Sequence, residues 1–324
     1  MLEYVKIDNF KSIEHIEFTC SKFNLFTGIP DAGKSNVLEA LAFFSLPYIL
    51  QGKDPVYDIL KFLRVSSPFH LLHRFNDFPT VPNETETIDI GTNMGRGSIT
   101  ITDYGEGYYF MGEGDPSFSF FLSADNTLKN VSGYTSSPFK YYEFNDFIYQ
   151  FREAPCEYLL PPDGMNLFRA LDVNRDFRNI MGRTAADFGC NLVLSEYGDH
   201  IEIQSKAVKN RIIVPYTSFP STLRKLFFYV GITAANKNSI LIFEEPELSD
   251  APKYLRLLLS LMLDDQTNQY FITVKSHSFL QMLLDSVPEE QLSVFTVFKH
   301  KNQSQLHRIS SPQEKTALLQ WVGK

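Results

Sequence analysis

The chain has little cysteine, a single tryptophan and no excess of basic residues. Cys20, Cys156 and Cys190 are odd in number, widely spaced and without metal-ligand spacing, which argues against a disulfide framework or a zinc site and suits buried thiols in a reducing compartment. With 30 Lys and Arg against 38 Asp and Glu the formal charge is −8, so a surface basic everywhere is excluded and any nucleic-acid contact needs a local patch. No apolar run reaches the roughly 18 residues of a membrane helix. Met1 to Lys6 alternates like a strand instead of carrying a signal peptide's apolar stretch, so a soluble, cytoplasmic protein without membrane contact is expected. Internal repeats, low-complexity segments and charged heptad runs are also missing, which excludes a solenoid or a long coiled-coil arm. What is present is 324 residues with 44% hydrophobic content, enough for one large domain or two.

Gly28-Ile29-Pro30-Asp31-Ala32-Gly33-Lys34-Ser35 fits G-x-x-x-x-G-K-[ST], between the apolar run Phe23–Thr27 and a helical pattern that starts at Asn36. That context predicts a P-loop. The glycines let successive N–H groups turn inward at phosphates, and the N-terminus of the next helix adds a favourable field. Backbone and side chains from Gly28 through Asp31, Ala32 and Gly33 to Asn36 are candidate nucleotide contacts. Lys34 is expected to reach the β- and γ-phosphates, and the Ser35 hydroxyl to ligate Mg²⁺.

Leu2–Ile7 and Ile13–Phe18 read as further strands around a turn at Asp8–Ser12, and the helix from Asn36 runs to about Pro47. Residues 52–77 mix helix and loop, with Lys61, Arg64, His70, His73 and Arg74 as a modest basic cluster read as a solvated helix face. Alternation returns over 85–122, a β-rich insertion with hairpin turns at Asn93–Gly95 and Tyr104–Gly107. Asp125–Ser137 reads as a loop, and the aromatic stretch 141–149 as core. Helical patterns at 165–171, 175–188, 223–230, 252–263, 279–284 and 312–322 alternate with strand patterns at 191–194, 200–204, 211–214, 239–243, 270–274, 292–300 and 305–309.

The run Ser239–Phe243 ends in Glu244-Glu245-Pro246-Glu247, which puts carboxylates at the carboxyl edge of a sheet, where P-loop phosphates also sit. Glu244 is placed to hold Mg²⁺ or its water shell, and Glu245 to polarise an attacking water. After the next apolar strand comes Lys275-Ser276-His277-Ser278, where a histidine can hydrogen-bond a γ-phosphate.

The order Asn9-Phe10-Lys11-Ser12, P-loop, Glu244–Glu247 and Ser276–Ser278 resembles the ATPase heads of the ABC superfamily related to RecF, SMC and the OLD proteins, and it spans nearly the whole chain. Leu159–Leu167 also resembles the entry to that family's helical subdomain. The resemblance implies an α/β P-loop NTPase of ABC-ATPase type, a mixed sheet flanked by helices with a β-rich lobe and a helical insertion. Residues 1–60 and 212–324 would form the core and 61–211 the inserted lobe. It makes Glu244 and Glu245 the Walker B pair, with Glu245 catalytic beside Lys34, makes His277 the switch residue, and places Lys11 beside the nucleotide.

Two departures stand out. The family's Leu-Ser-x-Gly signature falls at Ser218–Arg224, with Ser221 in the glycine's place. Ser218 and Ser221 are the candidate contacts to the γ-phosphate of an opposing subunit, where a Cβ crowds the approach. The usual Mg²⁺-binding glutamine is not evident; His73 or Asn76 stands near its place. No role beyond turn or interface contact is assigned to Ser249 or Asp250. No Toprim nuclease is expected, since about fifty residues follow His277.

The resemblance therefore implies an ATP- and Mg²⁺-dependent switch subunit that dimerises head to head and acts through a separately encoded effector, with DNA as a further partner, in phage defence or DNA repair. Arg169, Arg175, Arg178, Arg183, Lys206, Lys209 and Arg211 could form a DNA-facing patch or be ordinary exposed charges. A nucleotide-gated scaffold with little or no hydrolysis is the alternative, supported by Ser221. A P-loop kinase or a transporter subunit is a weaker third.

Overall fold

The computed structural model describes residues 1–52, 54–73, 86–101, 107–133, 136–146, 158–195, 200–205, 213–247 and 252–322. In chain order the first elements are β1 (Tyr4–Phe10), β2 (Ile13–Thr19), β3 (Phe23–Thr27), α1 (Lys34–Ala42), α2 (Leu46–Ile49) and α3 (Pro55–Phe62). Next come β4 (Thr87–Thr92), β5 (Gly95–Ile101), β6 (Gly107–Gly114), β7 (Phe118–Ser123), β8 (Leu128–Gly133) and β9 (Phe139–Tyr142). The middle holds α4 (Leu167–Val173), α5 (Arg175–Asp187), β10 (Cys190–Ser195), β11 (His200–Ser205), β12 (Ile213–Pro215) and α6 (Ser221–Ala235). The last are β13 (Ile240–Phe243), α7 (Pro252–Asp264), β14 (Gln269–Thr273), α8 (His277–Ser286), β15 (Leu292–His300), β16 (Gln303–Ile309) and α9 (Pro312–Val322).

Two compact units divide the chain. The first comprises residues 1–141, 238–245 and 269–324. It contains a seven-stranded sheet of order β2-β1-β4-β5-β6-β7-β8, antiparallel throughout, and a six-stranded sheet of order β16-β15-β3-β14-β13-β9. In the second sheet β15, β3, β14 and β13 run parallel. Helix α1 packs on β1, β13 and β14 and is buried over Val37–Ala42, a stretch that is apolar except for Glu39. Phe43 and Phe44 extend this core onto Phe118 and Phe139, at ring separations of 5.4 and 4.6 Å.

The division differs from the boundary at residues 60/61 suggested by the sequence. Strands β4–β8 share one ladder with β1, with Ile7 opposite Ile90, so the β-rich segment belongs to the first unit and not to a separate lobe. The segment 125–137, expected as loop, carries β8. Its residues after Leu128 are exposed because an edge strand bonds one neighbour through its backbone and needs no apolar face. The turn expected over 8–12 is shorter, because β1 runs on to Phe10. The helix expected from Asn36 to Pro47 begins at Lys34 and ends at Ala42; Pro47 sits in the first turn of α2, where its missing N–H costs nothing.

The second unit comprises residues 142–237 and 246–268, with α4–α7 and the small sheet β10-β11-β12. Its core is Phe168, Leu171, Phe177, Met181, Leu226, Phe227 and Tyr229, all buried. Arg178 donates to the carbonyls of Leu171 (2.8 Å) and Asp172 and so closes the end of α4 while remaining exposed. Arg175 and Arg183 are exposed, and Arg169 lies over the Phe168 ring at 5.4 Å. Lys206, Lys209 and Arg211, like Arg74, Asn76, Cys156, Ser249, Asp250, most of the Tyr104–Gly107 turn and the end of the 141–149 stretch, lie outside the described residues.

Candidate functional site

The site lies at the carboxyl edge of the six-stranded sheet. There β3 runs into the loop Gly28–Gly33, β13 into Glu244 and Glu245, and β14 into Lys275–His277. Two glycines shape the loop. Gly28 has φ 150° and Gly33 φ 97°; a Cβ would stand 2.2 Å from the Val297 carbonyl oxygen at the first and 2.0 Å from Ser304 Oγ at the second. Ser304 also donates to the Ala32 carbonyl at 2.7 Å, which ties the loop to β16. Lys34 Nζ donates to the carbonyls of Gly28 and Ile29, each at 2.9 Å, so the lysine spans the loop from within.

The loop opens on a cavity of about 620 Å³ lined by Gly28, Pro30, Asp31, Gly33, Lys34, Ser35, Asn36, Glu245, Lys275 and Lys299. Seven of the residues expected from the sequence thus share one space: Gly28, Asp31, Gly33, Lys34, Ser35, Asn36 and Glu245. Ala32 is buried beneath the loop. Glu245 holds a left-handed backbone, φ 43°, and donates its N–H to Thr273 Oγ1 on β14 at 3.0 Å, which fixes its backbone at the cavity wall. Lys275 and Lys299 were not anticipated as part of the site. They bring the cavity to three lysines, Lys275 from the run after β14 and Lys299 from β15.

At the cavity wall Ser35 Oγ donates to Glu244 Oε1 at 2.6 Å. Arg64 grips the same carboxylate with both guanidinium nitrogens, Nη1 to Oε1 at 3.0 Å and Nη2 to Oε2 at 2.5 Å, and the Tyr141 hydroxyl donates to Oε2 at 2.5 Å. Arg64 Nη1 is also 3.3 Å from Glu39 Oε1, and Glu39 in turn pairs with Lys11. Two cations and two carboxylates thus form one half-buried network. Burial pushes the Glu244 carboxyl up, but the hydrogen bonds and charge of Arg64, with the hydroxyls of Ser35 and Tyr141, outweigh it and hold the group below its ordinary value. At Glu39 burial wins over Lys11 and Arg64, and the carboxyl lies above its ordinary value. Arg64 therefore belongs to the site and not to a solvated helix face.

Lys11 points away from the lysine-lined cavity. Its ammonium is bound to Glu39 and to the Leu63 carbonyl at 2.8 Å, and it lines a neighbouring cavity of about 450 Å³ with Ser12, Asn36, Arg64 and His70. Asn36 borders both cavities and donates to Ser12 Oγ at 2.5 Å. His73 binds the Lys11 carbonyl at 2.9 Å, so it braces this turn and does not replace the missing glutamine. His277 opens α8, exposed, with Ser276 as the helix cap, and is not among the residues lining the first cavity. Ser218 and Ser221 lie in the second unit, exposed, at the start of α6.

The donors present fit a divalent cation. A serine hydroxyl and a carboxylate oxygen in contact at the mouth of a phosphate-sized loop are hard oxygen ligands of the kind Mg²⁺ takes alongside phosphate. Burial raises the Cys20 thiol to about 12, which leaves it protonated and unreactive. Among the described residues no group of three or more His, Cys, Asp or Glu is placed to hold a metal ion, and no helix is long and apolar enough to cross a membrane.

A glycine loop between β3 and a buried helix, acids ending the parallel strand next but one to β3 and an antiparallel sheet covering that helix together define the ABC-type ATPase head fold. Solved structures carry the same fold. An SMC head bound to the C-winged helix domain of ScpA is 12% identical, with a TM-score of 0.58 over 96% of this chain and 99% of that one. SMC heads with coiled coils from Pyrococcus yayanosii (8% identical, TM-score 0.53) and from Pyrococcus furiosus, the latter bound to the C-terminal domain of ScpA (11%, 0.52), each match 100% of this chain and 99% of their own. No family model matches the chain, and no curated protein matches it in sequence.

Proposed function

We propose that the protein is an ATP-binding and ATP-hydrolysing switch subunit that dimerises head to head around nucleotide and controls a separate effector or DNA-processing partner. The observation that carries this reading is the lining of one cavity by Lys34, Ser35 and Glu245, with Glu244 bonded to Ser35. Lys34, Lys275 and Lys299 neutralise a triphosphate, the loop N–H groups orient it, and Glu245 accepts the proton of a water aimed at the terminal phosphorus. Ser35 and Glu244 hold the Mg²⁺, which when bound neutralises charge on the phosphate oxygens. His277, at the first turn of α8, serves as the switch that senses the terminal phosphate, Lys11 lines the neighbouring cavity beside the nucleotide, and Ser218 and Ser221 reach the nucleotide of the opposing head. An SMC head that holds a domain of ScpA is a precedent for a separately folded partner on this fold. Phage defence or DNA repair, in the cytoplasm, is the setting in which such a subunit acts.

A nucleotide-gated scaffold is the second reading, favoured by Ser221 in place of glycine and by Arg64 on Glu244. Phosphate release by wild type and Glu245→Gln separates them. A clear wild-type rate that falls about 100-fold or more in the variant supports hydrolysis. A wild type no faster than the variant, yet still binding ATP and doubling its mass by light scattering, supports the scaffold.

A further inference from the structure

The turn that closes α3 carries an arginine where such turns usually carry glycine. Arg64 N–H bonds the Lys61 carbonyl and Val65 N–H the Leu60 carbonyl, both at 3.0 Å, the paired bonds of a Schellman close. The pattern needs a left-handed residue at its centre, and Arg64 supplies it at φ 52°, a conformation that a Cβ disfavours. Backbone strain of this kind persists where the side chain has a task. Here the strained backbone delivers the guanidinium in bidentate contact with Glu244 while one nitrogen stays 3.3 Å from Glu39.

We infer that Arg64 is a positioning residue that holds the cation's place on Glu244 and yields it when metal arrives with nucleotide. The inference rests on the ATP-binding reading above. Glu244 Oε1 accepts from both Ser35 and Arg64, so a cation that takes this oxygen and the Ser35 hydroxyl meets a guanidinium already on it. A divalent ion and an arginine on one carboxylate oxygen repel, and the ion enters only when phosphate charge tips the balance. Glu39 keeps the displaced arginine nearby, so exchange needs a short swing and no loss of its ion pair. The site thereby favours metal and nucleotide together over metal alone.

Mn²⁺ titrations of the full chain, followed by electron paramagnetic resonance with and without a saturating non-hydrolysable ATP analogue, test this. Arg64→Gly suits the left-handed turn, and Arg64→Asn is the second-best residue for it. Both variants are expected to bind Mn²⁺ about tenfold tighter than wild type, with the larger gain in the nucleotide-free protein. Unchanged or weaker Mn²⁺ binding, or loss of the folded circular-dichroism spectrum in both variants, overturns the role. Failure of wild type to bind the analogue under any condition sinks the ATP reading instead, and the nucleotide-free titration then still decides for or against Arg64.

Discussion

Two turns at this sheet edge hold a left-handed backbone, and they do so in opposite ways. In the loop after β3 the positive angles fall on Gly28, Asp31 and Gly33, and at the two glycines a side chain would collide with β15 and with Ser304. In the turn after α3 the positive angle falls on Arg64, whose side chain crosses to a carboxylate 180 residues away in the chain. The first turn clears space for a ligand, whereas the second accepts strain to deliver a charge. Removing the special residue should therefore damage the first and spare the second.

The largest effect is expected at Gly33. Gly33→Ala adds a Cβ in a disfavoured conformation and presses it onto Ser304 Oγ and Ser12 Oγ, with an expected loss of about 2–4 kcal/mol in urea unfolding and of nucleotide binding. A stable variant that still binds ATP would show that the loop rearranges freely, and the contrast between the turns would fail.

At Arg64 the terms oppose. Glycine relieves about 1 kcal/mol of left-handed strain. It also removes the ion pairs to Glu244 and Glu39, made by an arginine that is 35% exposed and together worth about 1 kcal/mol after screening. Arg64→Gly should change urea stability by less than about 1 kcal/mol in either direction. A loss near that of Gly33→Ala would make Arg64 a structural brace, and the turns would then be alike.

The first turn was legible in the sequence and the second was not, for a physical reason. A P-loop is a local object: the strand Phe23–Thr27, the glycines and the following helix are contiguous, and each residue type answers a local steric need. The ends of β13 and β14 were legible because an apolar run that stops in charged residues marks a sheet edge. Arg64 looked like one charge on a solvated helix because its partners, Glu39 and Glu244, come from other elements. Lys275 and Lys299 were missed as site residues for the same reason, since only the parallel pairing of β15 and β14 with β3 brings them to the loop. The extent of the first unit was hidden too. Alternation marked β4–β7 as strands, but no local pattern says that β4 pairs with β1.

The smallest expected effect separates the two carboxylates that share Arg64. Glu244 has a lowered folded-state pKa, so its contribution is complete above the ordinary carboxylate value and is lost as pH falls through the depressed one. Glu39 has a raised one, so the folded state binds its proton more tightly and stability declines as pH rises from the ordinary value toward the raised one. In wild type the two slopes oppose. Glu39→Gln removes the declining one, so its stability should fall less than wild type as pH rises above the ordinary carboxylate value, whereas Glu244→Gln should flatten the climb that lies below that value. Urea midpoints at successive pH values read the difference. If both variants ran parallel to wild type, the two carboxyls would titrate alike, and the strained turn would deliver its arginine without discriminating between them.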